Sequence, residues 1–260
     1  MSGLVRFVGA GPGAADLLTF RAAAAIEQAD IVIWAGSLVS EDVLVHAREG
    51  AETYDSATMT LEDVTAIYER VAAEDLVVAR LQSGDPSLYG AIQEQIEVCE
   101  SLEIAWEIIP GVSSFGAAAA AIGHELTVPG VSQSIVLTRI GHRASPMPDG
   151  ESLQEWAAHG SSIALFLAAA RPDDVQADLL AGGYAPDTPV AIVHRATWPD
   201  ELIIKCTLEE LAASIKEAKL VKSTLLLIGP AIEASGARSH LYHPGHTHMF
   251  RRRDRAVAFP

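Results

Sequence analysis

Three times before its midpoint, this chain runs from a short apolar segment straight into a glycine turn and then into a helical pattern. Leu4-Val5-Arg6-Phe7-Val8 leads into Gly9-Ala10-Gly11-Pro12-Gly13. Leu76 to Leu81 leads into Ser83-Gly84-Asp85-Pro86, and Ile104 to Ile109 into Pro110-Gly111-Val112-Ser113-Ser114. Apolar runs that alternate with helices specify parallel strands covered on both faces. All three turns then fall on the carboxyl edge of one sheet, where open α/β folds bind their ligands.

The rest of the chain keeps this rhythm. Helical patterns are expected from Leu17 to Gln28 with Asp16 as N-cap, over Glu41 to Arg48, and from a capping box at Thr60-Leu61-Glu62-Asp63 to about Ala73. Ile31 to Trp34 reads as a second strand. Asp85 and Pro86 read as the cap and first position of a helix reaching Ser101. An alanine-rich helix follows Ser113-Ser114 to Ile122. The rhythm lapses over Gly123 to Val131 and resumes with strands at Ser134 to Thr138, Ser161 to Leu167, Pro189 to Val193, Leu202 to Cys206 and Ser223 to Ile228. Helices at Glu151 to His159, Asp173 to Ala181 and Leu208 to Ala218 are interleaved with them. The expected architecture is α/β and two-lobed, each lobe a mostly parallel or mixed sheet flanked by helices. Residues 1–120 form the first lobe, 121–232 the second, and 233–260 a tail.

The first glycine turn has the outline of a dinucleotide fingerprint, Gly9-x-Gly11-x-x-Ala14. Two features argue against that use. Pro12 has no N–H to offer a pyrophosphate. The ribose-binding acid belongs at the end of the second strand, but that end is Trp34-Ala35-Gly36-Ser37, and Asp30 precedes the strand. No Gly-Lys-Ser/Thr follows for a phosphate-binding P-loop. A nicotinamide dehydrogenase therefore ranks low.

Among 260 residues the net charge is −16, which argues against non-specific nucleic-acid binding, since that needs a basic surface to replace counterions. A polyanionic ligand would need local cations in a cleft, since the long-range field is screened beyond about 8 Å. No apolar stretch is long enough to cross a bilayer, and the N-terminus has no leader pattern. With only Cys99 and Cys206 present, a cytoplasmic location without a disulfide framework is expected.

Taken in order, the three turns resemble the signatures of the tetrapyrrole methyltransferases, with Asp16-Leu17-Leu18-Thr19 continuing the first and Tyr89-Gly90 the second. Trp34 to Val39, Tyr89 to Gln95, Leu126 to Pro129 and Arg195 to Glu201 are similar to the subgroup that methylates C11 of a corrin precursor. Leu241-Tyr242, Thr247-His248 and Phe250-Arg251 agree with it in the tail. The resemblance implies S-adenosylmethionine as cofactor, a tetrapyrrole substrate, and a homodimer. Carried over by motif position, it places Pro12, Gly84, Asp85, Pro86, Ser113, Ser114, Leu167, Ala196 and Leu226 at the cofactor. Gly11, Ser37, Arg139, His142, Arg143 and Arg195 are candidate substrate contacts, the cations suiting ring carboxylates. Asp85 and Tyr89 are the candidate catalytic groups, either one or solvent taking the ring proton.

Methyl transfer is an in-line displacement that needs alignment more than a covalent nucleophile. The lack of a Ser/His/Asp or Cys/His set agrees with that chemistry. His240, His243, His246 and His248 lack the spacing of a zinc site, so no protein-bound metal is expected. A different ring-carbon specificity and a non-catalytic tetrapyrrole carrier are the alternatives.

Overall fold

A computed structural model describes residues 3–141, 145–234, 246, 247 and 249. The first sheet holds β1 (Leu4–Gly9), β2 (Ile31–Trp34), β3 (Glu52–Asp55), β4 (Val77–Gln82) and β5 (Ala105–Ile109), in the order β3-β2-β4-β1-β5. Every pairing in it is parallel. Helices α2 (Leu61–Glu74) and α3 (Gln93–Ser101) cover one face over Val5, Phe7, Ile31, Ile33 and Val78. Helix α1 (Phe20–Glu27) covers the other over Val8, Val32, Ala79 and Leu81.

The second sheet contains β6 (Ile135–Arg139), β7 (Ser162–Phe166), β8 (Pro189–His194), β9 (Leu202–Thr207) and β10 (Thr224–Ile228). Its order is β6-β7-β10-β8-β9; only β6 and β7 are parallel. Helices α5 (Leu153–Ala157), α6 (Pro172–Ala181) and α7 (Leu211–Glu217) enclose the core on one face. Helix α4 (Ser114–Ile122) leaves the third glycine turn and packs Ala117, Ala118 and Ile122 on the opposite face.

Several boundaries differ from the sequence expectation. Asp16 lies inside a short 3-10 turn; the cap of α1 is Thr19, whose hydroxyl accepts from Ala22 N–H at 3.1 Å. The capping box of Thr60 and Asp63 forms as expected. Strand β3 was not expected: Glu-Thr-Tyr-Asp at a sheet edge carries no apolar run. No helix starts at Asp85. Tyr89 and Ala91 take positive φ (56° and 47°), which delays α3 until Gln93.

Candidate functional site

The parallel order sets β4, β1 and β5 side by side, so their three turns meet at one edge. Gly11 and Gly84 exchange main-chain hydrogen bonds, N–H of Gly84 to the Gly11 carbonyl at 2.8 Å and the reverse at 3.2 Å. Gly9 packs directly on Gly111. A Cβ at Gly111 would overlap the Gly84 carbonyl oxygen and lie 2.8 Å from Gly9 Cα. Here glycine is required by the close approach of three main-chain segments.

Asp85 fastens the second turn to the third. Its Oδ2 accepts the Gly111 N–H at 2.8 Å, and its Oδ1 accepts from the Ser87 N–H at 2.9 Å and the Ser87 hydroxyl. Burial pushes the Asp85 pKa up, but the Ser87 hydroxyl and the two N–H donors outweigh it and hold the carboxyl below its usual value. That stabilisation is complete above the unfolded pKa of about 3.9 and is lost as pH falls through the folded value. Asp85→Asn is therefore expected to lose about 1–2 kcal/mol at pH 7. Urea midpoints of parent and variant should converge near pH 2; a gap that persists there would remove the charge from the account.

A cleft of about 340 Å³ separates this edge from the second sheet. Pro12, Gln82, Ser83, Tyr89 and Ser114 line it from the first side. Opposite them stand Phe166 and Leu167 at the end of β7, Arg195, Ala196 and Trp198 after β8, and Ser223 to Leu225 entering β10. Because β10 runs antiparallel to β7 and β8, its start lies beside their ends. Tyr89 crosses the cleft to tilt its ring against Phe166, centroids 5.2 Å apart. Burial raises the Tyr89 pKa, with Arg139 lowering and Glu151 raising it further, so the side chain is a neutral phenol at pH 7.

A clasp joins the lobes at the first turn. The Trp198 indole N–H donates to the Pro12 carbonyl at 3.0 Å, and Ala14 N–H donates to the Thr197 hydroxyl at 3.0 Å. Gly13 leaves no room for a side chain, since a Cβ would overlap the Trp198 ring. The Arg195 guanidinium lies 4.4 Å above that ring and pairs with Asp200. Leu167, Arg195, Thr197 and Ser223 all hold positive φ around the cleft, as does Tyr89. Such backbone strain concentrates at ligand sites.

The cleft thus gathers Pro12, Tyr89, Ser114, Leu167, Arg195 and Ala196 of the sequence candidates. Gly11, Gly84, Asp85, Pro86 and Ser113 stand behind it as the turn framework. Leu226 does not reach the lining: it is fully buried in the core beneath α6 and α7, and its neighbour Leu225 faces the cleft instead. Arg139 turns onto its own loop, donating to the Ile140 and Ser145 carbonyls and the Ser145 hydroxyl at 2.9–3.1 Å. Ser37 is exposed beside the lining residue Leu38. His142 and Arg143 lie outside the described residues, as do His240, His243 and His248. Among the described residues no group of three or more His, Cys, Asp or Glu is arranged to hold a metal. No described helix is long and apolar enough to cross a membrane.

Sequence reasoning missed Gln82, Phe166 and Trp198. Gln82 had a visible signal, an amide ending an apolar strand; the Trp198 clasp spans 186 positions and had none. A second cavity, about 370 Å³ under the loop after β6, lies apart from the turns. Its Arg171 is bonded to Asp174 and to the Gly141 carbonyl.

Two lobes thus face each other across a cleft walled by main-chain turns. The sequence profile of the tetrapyrrole (corrin/porphyrin) methylases matches residues 5–212, and the chain belongs to that family. It is 46% identical over 250 residues to a precorrin-4 C(11)-methyltransferase from a Sinorhizobium species, covering 96% of this chain and 98% of that one. The solved structure of a cobalt precorrin-4 methyltransferase superposes with a TM-score of 0.85 at 38% identity, over 89% of this chain and 96% of that one. A uroporphyrin-III C-methyl transferase from Thermus thermophilus, complexed with S-adenyl homocysteine, matches with a TM-score of 0.73 at 26% identity. It covers 88% of this chain and 99% of its own.

Proposed function

We propose that this chain transfers the methyl group of S-adenosylmethionine to C11 of precorrin-4 or cobalt-precorrin-4, in cobalamin biosynthesis. The observation that carries this reading is the near end-to-end likeness, at 46% identity, to a precorrin-4 C(11)-methyltransferase.

The residues present suit the cofactor. Helix α4 begins at Ser114 without a side-chain cap from Ser113, so its first N–H groups and the Ser114 hydroxyl that lines the cleft are the candidates for the cofactor carboxylate, with Ser113 in the turn behind them. Leu167, 68% exposed although apolar, forms with Ala196 and Leu225 a slot for the adenine. Pro12, Gly84, Asp85 and Pro86 give that pocket its main-chain wall. When bound, the cofactor supplies a methyl carbon on a positively charged sulfur, open to in-line attack by an electron-rich ring carbon.

The chain's own part is alignment. The three turns fix one wall, the Trp198 clasp fixes the other against it, and Phe166 with Tyr89 offers aromatic surface to a flat ring. Asp85, with both oxygens engaged, holds the turns. Tyr89 presents a neutral hydroxyl at the cleft, through which the ring proton passes to solvent. Arg195, Arg139, His142 and Arg143 are the candidates for ring carboxylates, with Gly11 and Ser37 as the further candidate substrate contacts. A homodimer, a cytoplasmic location, and lobes at 1–120 and 121–232 with a tail at 233–260 belong to this same proposal.

Incubation with methyl-labelled S-adenosylmethionine and either precorrin-4 or its cobalt form should place label on C11, read by product mass and carbon NMR. An unlabelled macrocycle overturns the proposal. Label at another ring carbon replaces it with a different specificity within the family.

A further inference from the structure

Strand β4 alternates its side chains, so Val78, Arg80 and Gln82 share the face toward α2 and α3. Val78 is core, whereas the last two positions are polar. Arg80 donates through Nε to Gln95 Oε1 at 3.1 Å and through Nη1 to the Ser56 hydroxyl at 3.0 Å. Ser56 follows β3 and donates to the Trp34 carbonyl at the end of β2, so the guanidinium lies at the carboxyl edge of the sheet. The buried Tyr68 hydroxyl also donates to Gln95 Oε1, at 3.2 Å.

Every acceptor around Arg80 is neutral. Arg6, Arg48, Arg70, Arg171 and Arg195 each pair with a carboxylate; among the described residues Arg80 pairs with none. Burial lowers its pKa, as befits a cation without a counter-charge. Two positions on, Gln82 lines the cleft while only 9% exposed, and its Nε2 has no acceptor. A half-buried cation without a carboxylate and a buried amide donor without an acceptor, two positions apart on one strand face, are costly features for a fold to keep.

We infer that Gln82, in the floor of the cleft, and Arg80, behind it on the same strand face, form an anion receptor that takes one carboxylate of the tetrapyrrole. This rests on the proposed function. A guanidinium and an amide offer the parallel N–H donors that the two oxygens of a carboxylate accept. In a chain of net charge −16, a cation partly shielded from water and without a counter-charge offers a polycarboxylate more than an exposed one. The rim candidates act differently: Arg195 is paired with Asp200, and Arg139 is tied to its own loop. A carboxylate anchored beneath the ring also sets its rotation in the cleft, and with it which ring carbon meets the methyl donor.

The test uses the full chain and two probes, uroporphyrin with free carboxylates and its octamethyl ester, with S-adenosylhomocysteine affinity measured alongside by calorimetry. Parent protein should prefer the acid. Arg80→Met and Gln82→Leu should each weaken acid binding about tenfold and reduce the preference over the ester, with homocysteine-cofactor affinity within about twofold of parent. Arg80→Lys should recover part of the loss. Gln82→Leu should not lower thermal stability, because the amide it removes lacks an acceptor; it therefore decides the matter if Arg80→Met does not fold. Unchanged acid binding in the folded variants overturns the inference, as does a loss confined to S-adenosylhomocysteine. Failure of the parent to methylate precorrin-4 while these effects persist would overturn the proposed function and leave the receptor standing.

Discussion

Gly111→Ala is expected to abolish more than about 99% of activity and to lower stability by about 3 kcal/mol, or roughly 10 °C in Tm. The added methyl group would overlap the Gly84 carbonyl and crowd Gly9 Cα at 2.8 Å. Both neighbours are main chain, and neither can rotate away. Relief would require separating β1 from β5 or breaking the Gly111 N–H bond to Asp85. Five positions later, Gly116 in α4 provides the control. A Cβ there meets nothing within 4 Å, and alanine should raise stability by about 0.5 kcal/mol through helix propensity alone. Thermal melts and turnover of the two variants separate crowding from a general intolerance of change. Equal behaviour of the pair would show that the turns do not meet as described.

Trp198→Ala should lower kcat/KM about a hundredfold while shifting Tm by only a few degrees. Each sheet keeps its own cores, and none of them includes Trp198. The loss falls on the relation between the lobes: the bond to the Pro12 carbonyl goes, and Arg195 loses the ring beneath it. Misplacement of reacting groups by about 1 Å is enough for an effect of that size. Trp198→Phe keeps an aromatic platform and removes only the N–H, so it should fall between parent and alanine. Steady-state kinetics with the methyl donor varied at fixed macrocycle would check this; parent-like kcat/KM in the alanine variant would dispose of the clasp.

Most of the fold was legible because its signals are local. Buried strands such as Ile31–Trp34 and Thr224–Ile228 are continuous apolar runs, and Thr60 with Asp63 spells a helix start. The meeting of three turns was legible too, since parallel strands share a carboxyl edge. Features that depend on distant partners were not. Strand β3 is polar because it lies at an edge, and Asp55 at its end is engaged with the Gly36 and Ala57 N–H groups. Nothing in Tyr89 or Ala91 announces a left-handed backbone that stops a helix; Gly90 packed against the Pro86 carbonyl helps impose it. Leu226 and Leu225 differ by one position, and in a strand that one step exchanges cleft for core. Arg139 had the right chemistry for a rim, but the carbonyls of its own loop took its donors.

The turn wall also limits how the cleft can change. Where Gly9, Gly11, Gly84 and Gly111 touch, they do so through main-chain atoms, so this contact holds no side chain that could be exchanged to suit another ligand. Lengthening any one turn by a residue would displace the other two. Selectivity must therefore be written elsewhere, in the floor at Gln82 and the aromatic surface of Phe166 and Tyr89. A designer seeking a new acceptor has a fixed turn-side template and a small set of positions on which to work.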